Sequence, residues 1–188
     1  MAITEPIKNK KHLKQIASYF LAHDQYRNYL LLVFGAHTAL RISDILRLKW
    51  KDVCDENGNY LSHIIVKERK TGKSKIIALH KEIIKALQLY SPHRKGEFLF
   101  ASNRKTLAAI SRIQAWRILR SAALALGIDS RISPYSLRKS FGYWAWKSGV
   151  SPVILMDVYN HSTYSVTKRY LGIDQDEIDQ AYLSAAFF

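Results

Sequence analysis

The chain has 188 residues, 48% of them hydrophobic, enough for one compact domain with a full core. Twenty-nine Lys and Arg against fifteen Asp and Glu give a net charge of +14, which points to a phosphate backbone as partner. The lone Cys54 excludes an intrachain disulfide, no Cys/His group has zinc spacing, and the longest apolar run, YLLLVFGAHTAL (Tyr29 to Leu40), is too short to span a bilayer. With charges where a signal peptide would be apolar, these features fit a cytoplasmic protein and exclude membrane and secreted classes.

Leu13, Ile16, Ala17 and Phe20 recur at helical spacing and predict a first, half-buried helix between Lys8 and Ala22. Asp24 is expected to cap a second helix, YRNYLLLVFGAHTAL, apolar all round and therefore central. Ser43 is expected to cap a short third helix, DILRLKW. After Gly58 the period changes, and SHIIVKE and KSKIIAL flank RKTG as the two strands of a β-hairpin with Lys70, Thr71 and Gly72 at its tip.

A helix from Lys81 to Tyr90 and a short FLF segment follow. A long helix from Ser111 to Leu126 is expected to bury Ile113, Trp116, Leu119, Ala123 and Leu126 and to end at Gly127. Pro134 precedes a helix from Ser136 to Ser148, and Ser151 and Pro152 cap and start the next. Ser162 is the expected cap of a short helix leading to Tyr170, ended by Gly172, and Asp174 begins a last amphipathic helix, acidic at its start and closing in AYLSAAFF.

Several residues stand where chemistry is plausible. Arg41 follows a strongly apolar helix, so its side chain needs a partner; Asp44, three residues on, offers either a structural salt bridge or a brace that turns the guanidinium toward a phosphate. SPYSLRKSFGYW places Arg138 and Lys139 in the first turn of a helix, where free N–H groups also attract phosphate. Lys70 and Lys73 sit at the hairpin turn as flexible cations. TGKS, Thr71 to Ser74, is not a P-loop, because the required glycine is Lys67 and the segment opens no helix. Tyr170 follows Lys168 and Arg169, cations that favour a phenolate.

ALRISDILRL, a lysine on a β-turn, YSLRKSFGYW, NHS, and a tyrosine nine residues after its histidine occur in one order. Together they resemble the catalytic domain of the tyrosine recombinases, the phage integrase family, over the chain from about Thr4. The resemblance implies a mainly α fold with a small antiparallel β-hairpin (α+β). Residues 1–188 are then one catalytic domain without the usual N-terminal DNA-clamping (core-binding) domain, and 174–188 a tail helix that docks on a neighbouring subunit or packs on its own core.

Residue by residue, the resemblance makes Arg41 and Arg138 the active-site arginines, Asp44 the supporting acid, and Lys70 the hairpin lysine with Lys73 as its fallback. Lys139 supports, His161 is the fifth-position histidine, and Tyr170 is the nucleophile. Tyr135 departs from the pattern, standing where the family's H-x-x-R motif has histidine; a tyrosine donates a hydrogen bond well but is a poor base at neutral pH.

The implied activity is site-specific cutting and rejoining of duplex DNA through a 3′-phosphotyrosyl intermediate, without metal, ATP or other cofactor. Its implied partners are double-stranded recombination sites, a homotetramer on DNA, and accessory DNA-bending proteins. The alternatives are a weak or inactive DNA-binding member of the family and a type IB topoisomerase.

Overall fold

The computed structural model describes residues 4–103, 108–128 and 131–184. Helix α1 (Lys10–Ala22) is capped by Asn9, whose side chain accepts from the Lys11 N–H, and buries Ile16 and Phe20. Helix α2 (Tyr26–His37) is the central element, packed against α1, α4 (Lys81–Tyr90) and α6 (Pro134–Lys147). Its all-round apolarity follows from position: Leu30, Leu31, Val33 and Phe34 face one hydrophobic cluster, and Leu32 faces another.

The α2–α6 crossing is close because Gly35 has no side chain; a Cβ there would lie 2.9 Å from Leu137 Cδ1. The chain then turns sharply at Ala39, a non-glycine residue with φ of 53°, into the short helix α3 (Ile42–Ile45). The expected caps move: Asp24 also has positive φ and accepts from the Tyr26 hydroxyl, leaving Gln25 at the start of α2, while Arg41, not Ser43, occupies the cap of α3.

The hairpin forms as its residues predict. β1 (His63–Lys67) pairs antiparallel with β2 (Ser74–Ala78), with Ile64 opposite Ile77 and Val66 opposite Lys75. Ile64 and Val66 point inward, and the period of two carries Glu68 to the same buried face.

Helix α5 (Arg112–Ala125), with its Ser111–Gln114 capping box, departs from its expected stripe. Ala115, Leu119, Ala122 and Ala123 are buried, whereas Ile113 and Trp116 are 62% and 48% exposed. The interior face is thus set by small residues that allow close approach, a preference that counting large apolar side chains misses.

Helix α6 begins at Pro134, so Arg138 and Lys139 lie in its second turn rather than its first. Helices α7 (Pro152–Tyr159) and α8 (Tyr164–Leu171) complete the site; Thr163, not Ser162, precedes α8, and Gly172 ends it at φ 62°. Residues Pro6 to Lys8 strap these elements together. The Ile7 N–H donates to Ser140 Oγ, Trp144 Nε1 donates to the Ile7 carbonyl, and Lys8 pairs with Asp174 at 2.7 Å beside α8. In α9 (Gln175–Ser184) Tyr182 and Leu183 are 78% and 85% exposed, and the closing AAFF lies outside the described residues.

Gly142 on α6 faces the ring of Tyr159, and an added Cβ would lie 2.9 Å from Tyr159 Cε2 and closer still to its hydroxyl. Gly142→Ala is therefore expected to lower the unfolding free energy by about 1–3 kcal/mol, read by urea denaturation. A midpoint equal to that of the wild type would show that Tyr159 yields freely.

Candidate active site

Arg41, Lys70, Tyr135, Arg138, His161 and Tyr170, scattered over the sequence, line one open cleft. Each comes from a different local device. The turn at Ala39 delivers Arg41, the hairpin tip Lys70, the first two turns of α6 Tyr135 and Arg138, the α7–α8 loop His161, and the last turn of α8 Tyr170. Arg112, at the start of α5, also lines the cleft, while no carboxylate does among its described lining residues. A cleft lined by four cations and no acid suits a phosphodiester.

Arg41 is paired, but not with Asp44. Its Nη1 lies 2.9 Å from Glu68 Oε1. Arg41 is the extended residue before α3, so the helical i,i+3 relation to Asp44 does not exist. Asp44 instead accepts from the Arg69 backbone N–H at 3.0 Å and so fixes the strand end from which Lys70 projects.

Glu68, with no exposed side-chain surface, is the residue that sequence reading missed. Besides Arg41, its Oε1 lies 3.1 Å from Lys75 Nζ, while Oε2 accepts from Thr71 Oγ1 at 2.8 Å and Asn160 Nδ2 at 2.9 Å. Burial works to raise its carboxyl, yet the hydrogen bonds from Thr71, Asn160 and Lys75 prevail and hold it at about 2. The alternation of Ile64, Val66 and Glu68 was the available signal. Lys75, half-buried beside Glu68 and donating to the Val158 carbonyl, is a structural cation. Of the hairpin lysines, Lys70 lines the cleft and Lys73 is exposed outside its described lining.

Arg138 is 1% exposed. Its guanidinium donates to the carbonyls of Ala39 and Tyr159 and lies over the rings of Tyr159 at 4.8 Å and Tyr170 at 5.8 Å. Its Nε finds no partner among the described residues. Lys139 is held within the protein as well: Nζ donates to the Arg169 carbonyl and sits 5.6 Å from the Tyr170 ring and 5.7 Å from that of Tyr135.

Tyr170 packs edge-on to His161 at 4.4 Å and to Tyr135 at 5.5 Å. Tyr164 stands apart, outside the cleft's described lining and 48% exposed. His161 stacks on Tyr159, and its Nδ1 is 3.0 Å from Thr167 Oγ1, which leaves Nε2 as the ring nitrogen without a hydrogen bond among the described residues. Burial, then the cations Arg138, Arg41 and Lys75, push the imidazole down to about 4, so it is neutral near neutral pH. Burial, reinforced by the hydrogen bond and charge of Tyr170, raises the Tyr135 phenol, which keeps it protonated and unable to accept a proton near neutral pH.

His161 and Glu68 both lose proton affinity on folding, from ordinary values of 6.5 and 4.5. The unfolded chain therefore binds the His161 proton first, and stability falls as pH drops from about 6.5 to 4, then falls again as the pH moves from 4.5 toward 2 for Glu68. Urea midpoints are expected to decline on acidification, with His161→Gln flattening the upper part of the slope. An upper slope unchanged in that variant would place the imidazole in solvent.

Comparison with known proteins identifies the family and the fold. Residues 8–177 match the phage integrase family. The chain is 39% identical over 183 residues to "Probable integrase/recombinase YoeC" of Bacillus subtilis, covering 97% of each. It is 27% identical over 161 residues to tyrosine recombinase XerA of Pyrococcus furiosus, covering 84% of this chain and 54% of that protein, so it spans about half the length of that relative. In fold it resembles the crystal structure of XerA recombinase (TM-score 0.79, 19% identity, 100% of this chain and 66% of that one). It also resembles lambda integrase(75-356) bound to a COC' core site (TM-score 0.72, 18% identity, 91% and 60%). With the family pattern running through the elements that build the cleft, the chain belongs to the phage integrase family, that of the tyrosine recombinases.

Proposed function

We propose that this chain is a site-specific DNA recombinase in which Tyr170 cuts and rejoins duplex DNA through a 3′-phosphotyrosyl link. The observation that carries the reading is the cleft itself: Tyr170 stands among Arg41, Lys70 and Arg138, cations with no competing lining carboxylate among the described residues. The DNA-bound recombinases that share the fold support DNA as the partner.

In the forward step the Tyr170 hydroxyl oxygen forms a bond to phosphorus as the bond to the bridging 5′ oxygen breaks. Arg41 and Arg138 neutralise the charge that grows on the non-bridging oxygens, and His161 Nε2 contributes a hydrogen bond. Lys70 gives a proton to the departing 5′ oxygen. The Tyr170 proton passes to solvent, since Tyr135 is already protonated at neutral pH and cannot accept it. Attack by the 5′-hydroxyl of another strand reverses the step and reseals the DNA without an outside energy source.

Exchange between two duplexes requires four such subunits. The exposed Tyr182 and Leu183 of α9 favour a tail that docks on a neighbouring subunit over one folded back on its own core.

Incubation in EDTA with a pool of random-sequence duplexes, each carrying a nick, is expected to yield a protein–DNA adduct that survives detergent, with Tyr170→Phe yielding none. Adduct formed by Tyr170→Phe would reassign the nucleophile. Binding without any adduct would make the chain an inactive DNA-binding protein, and relaxation of plasmids without regard to sequence would make it a topoisomerase. Tyr135→His is expected to raise the cleavage rate about tenfold or more near neutral pH by supplying a base of suitable affinity. An unchanged or lower rate would mean that the site is built around the tyrosine.

A further inference from the structure

Among the described residues, Glu68 ties together the arginine, the lysine turn and the histidine loop of the cleft. Its four partners come from four separate segments: Arg41 from the cap of α3, Thr71 from the hairpin tip, Lys75 from β2, and Asn160 from the end of α7. Three of the four are, or stand next to, a group given a chemical role: Arg41 itself, Lys70 beside Thr71, and His161 beside Asn160; Lys75 is structural. The backbone of Glu68 closes the same turn, its N–H donating to the Lys73 carbonyl and its carbonyl accepting from Gly72. Asn160 holds a left-handed conformation with φ of 54°, so the carboxylate bond secures a backbone position that an L-residue seldom adopts.

We propose that Glu68 is a positioning residue for strand cleavage, its buried carboxylate presetting the arginine, the lysine turn and the histidine loop before DNA arrives. The proposal rests on the recombinase reading of the cleft. Oε1 compensates one of the two cations that face it, Arg41 and Lys75, and leaves the other charge in excess for a phosphate. Oε2, through two neutral donors, holds the turn and the loop at a fixed separation. Without the carboxylate the paired cations face each other uncompensated, and both loops lose their common anchor.

The test uses a duplex recovered from the nicked pool, synthesised once with its natural 5′ bridging oxygen and once with sulfur in that place. A thiolate departs without a proton, so sulfur removes the need for the acid and leaves the need for the arginines. Thr71→Ala cuts only the link to the lysine turn. It is expected to slow cleavage of the oxygen duplex about tenfold and to leave the sulfur duplex near the wild-type rate. Glu68→Gln removes the charge that faces Arg41 and Lys75 and replaces one acceptor oxygen by a donor, so it weakens every link, and is expected to slow the oxygen duplex about a hundredfold, with sulfur recovering only part of that loss, while DNA affinity does not fall. Wild-type rates in both variants, or losses that sulfur does not relieve in either, would overturn the proposal. If Glu68→Gln fails to fold by circular dichroism, Thr71→Ala, an exposed substitution, decides the matter.

Should the wild type form no adduct, the recombinase reading fails separately. Presetting is then judged by amide hydrogen exchange. Faster exchange in Thr71→Ala at residues 69–73, and in Glu68→Gln at 160–162 as well, supports it; unchanged exchange at both places refutes it.

Discussion

The cleft depends on one carboxylate buried among cations. Arg41, Lys75 and Arg138 are gathered where burial and neighbouring charge work against the protonated forms of Lys75 and Arg138, and their repulsion is screened less there than in water. Glu68 makes the gathering possible. Its charge opposes two of the three directly, its hydrogen bonds offset the cost of its own burial, and what is left is an unneutralised positive field facing the opening. A site organised in this way is complementary to an anion before any anion is present, which is the condition for electrostatic catalysis without reorganisation.

The second support is aromatic. Tyr159, fully buried, donates its hydroxyl to the Arg138 carbonyl and lies beneath the Arg138 guanidinium, while its ring stacks on His161 and contacts Tyr170. One ring therefore sets the height of three groups in the cleft. It can approach so closely only because Gly142 presents no side chain to it. Desolvation by the same rings keeps His161 neutral and Tyr135 protonated, so packing and acid–base behaviour are consequences of one arrangement.

The helix that carries Tyr170 is held from outside as well. The strap from Pro6 to Lys8 joins α6 to the end of α8 through Ser140, Trp144 and Asp174. Lys139 spans the same gap from within, bonded to the Arg169 carbonyl. The proposed nucleophile thus sits on a short helix tied at its C-terminal end, where an unanchored helix of that length would fray.

The order of elements, the hairpin, most helix ends and six of the residues that line the cleft were legible in the amino-acid sequence, because period, capping residues and glycine stops are local signals and the family's motifs are contiguous strings. Three things were not. The partner of Arg41 is Glu68 rather than Asp44, since a buried ion pair between distant segments leaves no spacing rule to read, although strand alternation pointed Glu68 inward. The buried face of α5 is lined by alanines, since burial is decided by how near the neighbouring helix comes. Arg138 and Lys139 are bonded inside the protein rather than solvated, because their exposure is set by α8 and Tyr159, more than twenty residues away. The sequence by itself determined which chemical groups the protein owns and which local structures carry them; only the tertiary structure decided which charges meet, because Coulomb energy and desolvation depend on distances that arise when remote segments pack.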